Sequence, residues 1–331
     1  MVTRRKVILS LGAGALAAPF AAFAQARQQI YRVGVLAAGS QSGSANLYGA
    51  FAQALKELGH VEGKSIVFET RYADGSLDRL PALAEELVKS KVDVIFAPSS
   101  PAVRAARQSA GTTPIVFAVV NDPVERGFVA SLAQPGGNIT GVLSVAPGLS
   151  AQRLRLLKEV FPKISHLAVA IVREPNATSE VSAQITEVRR AAESNRMAML
   201  SIEIRSRKSF DEAADVLRKW HADAMNCLDS AVNFYNRDVL IEFAARMKLP
   251  AVYPSGEFVE SGGLMSYGAD TEWSYRHAAV YVDKILSGAK PGALAVEAPT
   301  KFELVLNRKT AAALGLQFPA AILQKANRVI G

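Results

Sequence analysis

The feature that most constrains the fold is an alternation that runs, stops and starts again. From Tyr31 onward, short apolar runs of strand length alternate with stretches whose apolar residues recur every three or four positions. Tyr31–Ala37 reads as a buried strand, and Leu47, Phe51, Leu55 and Leu58 then carry helical spacing up to Gly59. Strands follow at Ile66–Tyr72 and at residues 92–97, 114–120 and 138–144, with helices over residues 80–88 and from Pro101. The pattern then restarts with a helix on Leu154, Leu157 and Phe161. Strands are expected at residues 166–172, 197–204, 222–228, 250–253 and 263–267, with Phe302–Asn307 as a terminal strand. Helical spacing returns at residues 181–192, 240–247 and 274–286, and Ser209-Phe210-Asp211-Glu212 reads as a capping box.

Strands alternating with helices imply parallel sheets covered on both faces. Two such series imply an α/β chain of two doubly wound lobes with a ligand cleft between them. No Pro/Ser-rich linker separates the series, so several crossings between lobes are expected. The first lobe is read as residues 30–145 plus 271–298, the second as 146–270 plus 299–331. In open α/β sheets ligands bind beyond the carboxyl ends of the strands.

The formal charge of +8 at first suggests nucleic acid. However, Arg4, Arg5 and Lys6 lie in a leader without acids, and its removal leaves 35 basic residues against 30 acidic. No basic stripe with interleaved aromatics is present, so the sequence argues against a nucleic-acid partner. Residues 1–26 have the form of a secretory signal peptide. Thr3-Arg4-Arg5-Lys6 is a positive n-region, residues 7–23 are apolar and small, and Ala22-Phe23-Ala24 and Ala24-Gln25-Ala26 both suit signal peptidase. The paired arginines resemble a twin-arginine signal; general export fits the same leader. No cysteine lies near the cleavage site, so a soluble mature protein without a lipid anchor is expected. Gly12-Ala13-Gly14-Ala15-Leu16-Ala17 mimics a dinucleotide fingerprint, but it lies in the segment to be removed.

Catalytic and metal-binding patterns do not emerge. The four histidines, His60, His166, His221 and His277, share no metal-ligand spacing. Gly263-Leu264-Met265-Ser266-Tyr267-Gly268 is not a nucleophile elbow, and there is no phosphate-binding glycine loop. Glu257 and Glu260 read as one solvated helix turn. Cys227, the single cysteine, sits in the apolar run 224–228 and reads as a buried structural thiol. No catalytic residue, metal or cofactor is assigned, and the chain is not read as an enzyme.

Polar and turn-forming residues gather instead at strand ends. Ser40 and Ser42 follow the first strand, Ser99 and Ser100 the third, and Asn121 and Asp122 the fourth. In the second series Asn176, Asp229, Ser255-Gly256-Glu257 and Tyr267 hold such places. Converging on one cleft, they would form a small-molecule site. Ser40, Ser42, Ser99, Ser100, Asn121, Asp122, Asn176, Asp229 and Tyr267 are the candidate ligand contacts. Ser100-Pro101 opens a helix, so Ser100 is expected to cap it. The amides of residues 102 and 103 would then face an anionic group of the ligand.

Several segments carry a family likeness. Asp78-Arg79-Leu80-Pro81-Ala82-Leu83-Ala84, Pro114-Ile115-Val116-Phe117-Ala118 and Asp122-Pro123-Val124 resemble ABC-transporter substrate-binding proteins of the tryptophan-uptake-like kind. So do residues 131–141, with Gln134-Pro135-Gly136-Gly137-Asn138, and Gly262-Gly263-Leu264-Met265-Ser266-Tyr267-Gly268. Pro299-Thr300-Lys301-Phe302-Glu303-Leu304-Val305 followed by Ala313-Leu314-Gly315-Leu316 matches the family's C-terminal end. The resemblance implies a type I periplasmic-binding fold with three interlobe crossings. It also implies a periplasmic monomer that captures a small molecule, with an amino acid or an aromatic or organic acid as candidates. An ABC permease and its ATPase would be the partners, and the membrane would be met only through the permease. A ligand-sensing subunit for a membrane receptor is the alternative, and an exported α/β hydrolase a more distant one.

Overall fold

The computed structural model describes residues 30–144, 148–172, 182–204 and 207–331, the side chains of 182 and 183 excepted. The signal-peptide reading of residues 1–26 and the Asn176 candidate fall outside the described residues.

The first sheet has the order β2-β1-β3-β4-β5 and is parallel throughout. Its strands are β1 (Tyr31–Ala37), β2 (Ile66–Tyr72), β3 (Val94–Phe96), β4 (Ile115–Val120) and β5 (Ile139–Leu143). The helices between them are α1 (Ala45–Glu57), α2 (Leu80–Lys89) and α3 (Ser100–Ser109). From Val33 to Ala37 every residue of β1 is buried, because helices cover both faces of the sheet. Leu80, Leu83, Ala84 and Leu87 of α2 recur at helical spacing and bury one face against the sheet.

The second sheet has the order β12-β11-β10-β9-β8-β6-β7. Its strands are β6 (His166–Ile171), β7 (Ala198–Glu203), β8 (Ala224–Cys227), β9 (Ala251–Tyr253), β10 (Met265–Ala269), β11 (Phe302–Asn307) and β12 (Arg328–Ile330). Around it lie α4 (Leu149–Val160), α5 (Ser182–Ser194), α6 (Phe210–Lys219), α7 (Ala231–Tyr235), α8 (Arg237–Met247) and α9 (Gly256–Glu260). The long α10 (Thr271–Leu286) and the short α11 (Arg308–Ala313) and α12 (Ala320–Lys325) complete the order. The chain leaves the first sheet after β5 and sends α10 back to pack on α1, β4 and β5. It then returns as β11. Asp270 starts α10 by accepting from the Trp273 amide at 2.8 Å, and its buried side, from Tyr275 through Tyr281 to Ile285, faces the first sheet's core.

Three details depart from the sequence reading. β11 runs antiparallel to β10, with Gly268 opposite Glu303, because it re-enters the sheet from the opposite direction. β12 pairs three exposed or half-buried residues that carry no alternation to read. Ser209 does not cap α6 through its side chain: its backbone sits at φ −87, ψ 2 rather than extended. Gly268 has a steric reason to be glycine, since a Cβ there would stand 1.6 Å from the Pro254 carbonyl oxygen. That close approach fixes the end of β10 beside the end of β9.

Candidate ligand-binding cleft

The carboxyl ends of β3, β4 and β5 face those of β8 and β9 across one cleft. Ser99, Asn121 and Ser144 line it from the first sheet, Asp229 and Ser255 from the second. Phe234, Tyr235 and Tyr275 supply aromatic walls.

Ser99 holds the N-cap position of α3, with an extended backbone at φ −115, ψ 157. The helix therefore opens at Ser100, one residue earlier than the sequence suggested, and Pro101 is its second residue. The Ser99 side chain makes no capping bond. Its hydroxyl is buried and has no hydrogen-bond partner among the described residues. The Tyr235 phenol lies beside it but outside bonding geometry; burial raises that phenol's pKa, and the neighbouring Ser99 hydroxyl pulls the other way. The Val103 amide is already engaged by the Ser99 carbonyl at 2.9 Å, so it is not free for a ligand. Ser100 and Ala102 are the first-turn amides that lack a helical carbonyl one turn back.

Asn121 is the polar bridge of the cleft. Its side-chain amide donates to the Asp229 carbonyl at 3.2 Å, and its carbonyl oxygen accepts from the Ser144 hydroxyl. Gln184 grips Asp229 from the other side, donating to the same carbonyl at 2.6 Å and accepting from its amide at 2.9 Å. The fully buried Arg153, which donates to Ser150 Oγ at 3.0 Å, has electrostatic reach to Asp229; desolvation lowers its pKa while that acid works against the shift. Ser255, after β9, carries a second buried hydroxyl without a partner among the described residues.

Tyr275 closes the aromatic side. Its ring meets Tyr48 edge-on at 5.6 Å and Phe96 at 5.3 Å. Burial, followed by the neighbouring Tyr235, holds its phenol well above the ordinary pKa and hence neutral. Cys227 is buried at the end of β8, and burial pushes its thiol up, so it is not an activated nucleophile. Among the described residues no group of acids, histidines and cysteines is arranged to hold a metal.

Of the candidates from sequence, Ser99, Ser100, Asn121 and Asp229 come together in this cleft. Ser40 and Ser42 sit outside its lining, in the turn before α1, where Ser40 Oγ accepts from the Gly43 amide at 3.2 Å. Asp122 takes a left-handed backbone at φ +47 and faces a surface depression shared with Arg104, Arg107 and Arg126. Tyr267 points to the α4 side of its sheet, where its hydroxyl accepts from Gln152 at 3.0 Å. Ser144, Tyr235 and Tyr275 were not foreseen. Tyr275 falls on the helix expected over residues 274–286 and Tyr235 on no expected element, and nothing local marks either as a cleft residue.

Residues 32–330 match the family of ABC transporter substrate binding proteins. A tyrosine-binding protein of Clostridioides difficile (strain R20291) is 27% identical over 270 residues, 81% of this chain and 76% of that one. A conserved domain protein from Vibrio cholerae superposes with a TM-score of 0.80 at 25% identity, covering 91% of this chain and 99% of its own. A domain from Streptococcus pneumoniae solved in complex with L-Trp gives 0.82 at 22% identity, covering 91% and 100%. These likenesses place the two-sheet architecture among type I periplasmic-binding folds. With the match spanning nearly all of the described chain, this protein belongs to the ABC transporter substrate binding protein family.

Proposed function

We propose that the chain is the exported, periplasmic binding component of an ABC importer, and that its cleft takes an amino acid with an aromatic side chain or a related aromatic acid. Each sheet with its helices acts as one lobe, and the permease with its ATPase is the partner that receives the solute from this monomer. The role is capture and delivery rather than catalysis.

The observation that carries this reading is the pair of buried, unpartnered hydroxyls, Ser99 and Ser255, facing one cleft from opposite sheets among the described residues. A buried polar atom left without a bond costs stability, and a ligand that completes it recovers that cost. The Ser99 hydroxyl with the Ser100 and Ala102 amides suits a carboxylate, since the start of a helix carries partial positive charge. Asp229 on the facing wall suits an ammonium, and Phe234, Tyr235 and Tyr275 suit a ring. The tyrosine-binding relative supports the same class of solute. The leader supports export.

Calorimetry with L-tyrosine as the first probe, then with the other aromatic amino acids and benzoates, tests the reading. One-to-one saturable binding is expected, weakened about tenfold by Ser99→Ala, as for the loss of one hydrogen bond to a charged group. No heat from any member of the set contradicts it.

A further inference from the structure

Tyr235 belongs to one lobe and is seated in the other. It ends α7, a single turn pinned to the second sheet. Ser230 Oγ accepts from the Asn233 amide at 3.1 Å. The fully buried Asn233 side chain accepts from the Val172 amide at 2.8 Å and donates to the Leu228 carbonyl at 2.8 Å. The backbone beneath Tyr235 is thus tied to the ends of β6 and β8. The Arg237 guanidinium covers the adjacent Phe234 ring at 5.1 Å, and Phe234 meets Tyr235 edge-on at 5.5 Å.

The Tyr235 ring nevertheless leaves its own lobe. It packs against the first sheet's hydrophobic core, the cluster that contains Leu36, Ala38 and Ala73. Gly39, directly after β1, provides the seat. A Cβ at Gly39 would stand 3.0 Å from Tyr235 Cε1 and 3.4 Å from Cδ1, so the ring occupies the space a side chain would need. The same ring also lines the cleft.

We propose that Tyr235 is the closure latch of this protein, a positioning residue whose ring, seated against Gly39, holds the lobes shut over the cleft and couples occupancy to closure. The role as a coupler rests on the cleft being the solute site. Separating the lobes strips the ring from its seat and exposes an aromatic face to water. A solute packed against the cleft-facing edge of the ring orders it in that seat, which gives the solute differential affinity for the closed form.

The test uses no solute, so its outcome is independent of which solute binds. Spin labels are attached to Ser76→Cys and Ala245→Cys, exposed positions on opposite lobes, in the full chain. The native Cys227 is buried and stays unlabelled in the folded protein. Pulsed dipolar spectroscopy then reads the ratio of short to long interlabel distances. The ligand-free protein should show a short-distance population. Tyr235→Ala should lower the short-to-long ratio roughly fivefold, the size expected for one aromatic packing contact. Gly39→Ala should lower it in the same direction from the opposite lobe with Tyr235 intact. In the Tyr235→Ala background, Gly39→Ala should have no further effect, because its only clash partner on the facing lobe is gone. A thermal midpoint near that of the parent shows that the variants are folded.

An unchanged ratio in Tyr235→Ala, independent effects of the two substitutions, or no short-distance population in the parent overturns the latch. Failure of the solute-binding reading looks different: the coupled shift survives here while every calorimetric probe gives no heat.

Discussion

Asn121 and Asp229 are hydrogen-bonded across the cleft, side-chain amide to backbone carbonyl, at 3.2 Å. The end of β4 is thereby joined to the end of β8, and the bond exists only while the two sheets stand close. Asn121→Ala removes it and also the acceptor for Ser144. The expected result is a several-fold loss of affinity for L-tyrosine, on the order of 1 kcal/mol, with a modestly lowered thermal midpoint because the buried Ser144 hydroxyl loses its partner. Calorimetry and a melt on the same sample check it. An unchanged affinity means that the bond has no part in holding the liganded form.

At the Ser99-Ser100 helix start, ligand binding and helix capping can be told apart. The Ser99 side chain caps nothing, so Ser99→Ala should leave the melting temperature within about a degree while affinity falls. If Ser99→Ala instead lowers the melting temperature by several degrees at unchanged affinity, the hydroxyl serves the helix and not a ligand.

This pair also shows how far the sequence could be read. Ser99-Ser100-Pro101 after an apolar strand marked a helix start at a strand end, and the location was right. The assignment of the cap to Ser100 and of a free amide to residue 103 was not. Which residue turns extended, and which carbonyl claims the Val103 amide, depends on φ and ψ values set by packing rather than by residue type. The two-series alternation was legible because strands buried on both faces must be apolar and their helices amphipathic. Tyr235 and Tyr275 were opaque for the opposite reason. Tyr275 reaches the cleft because a chain crossing carries α10 onto the first sheet, and Tyr235 because its ring leaves its own sheet for Gly39; local spacing holds no trace of either. Asp122 looked like Asn121 in sequence, but its left-handed backbone turns it to the outside.

Glu303 gives a pH prediction. Burial, reinforced by Glu257, Asp270 and Glu260 and opposed by Arg328 at 3.7 Å, raises its carboxyl from 4.5 to about 7. A raised carboxyl pKa means that the folded state holds the proton more tightly than the unfolded chain. Between about pH 4.5 and 7 the unfolded state binds fewer protons, so this group makes stability fall as pH rises, with no further change from it above that window. Discounted for solvent screening, the penalty at pH 8 is about 1 kcal/mol. Glu303→Gln should therefore raise the melting temperature by a few degrees at pH 8 and hardly at pH 4.5. A Glu303→Gln gain equal at both pH values, or larger at the lower one, contradicts the assignment.

The central claim is that one small acid or amino acid is held between the two sheets, and native mass spectrometry of the mature protein isolated from the cell envelope tests it most directly. The account predicts a chain beginning after the leader, at Gln25 or Arg27, carrying one bound species whose released mass is that of an aromatic amino or organic acid. Occupancy should fall sharply in both Ser99→Ala and Ser255→Ala, one substitution on each side of the cleft. A chain that retains Met1, or a bound species whose occupancy neither substitution lowers, would contradict it.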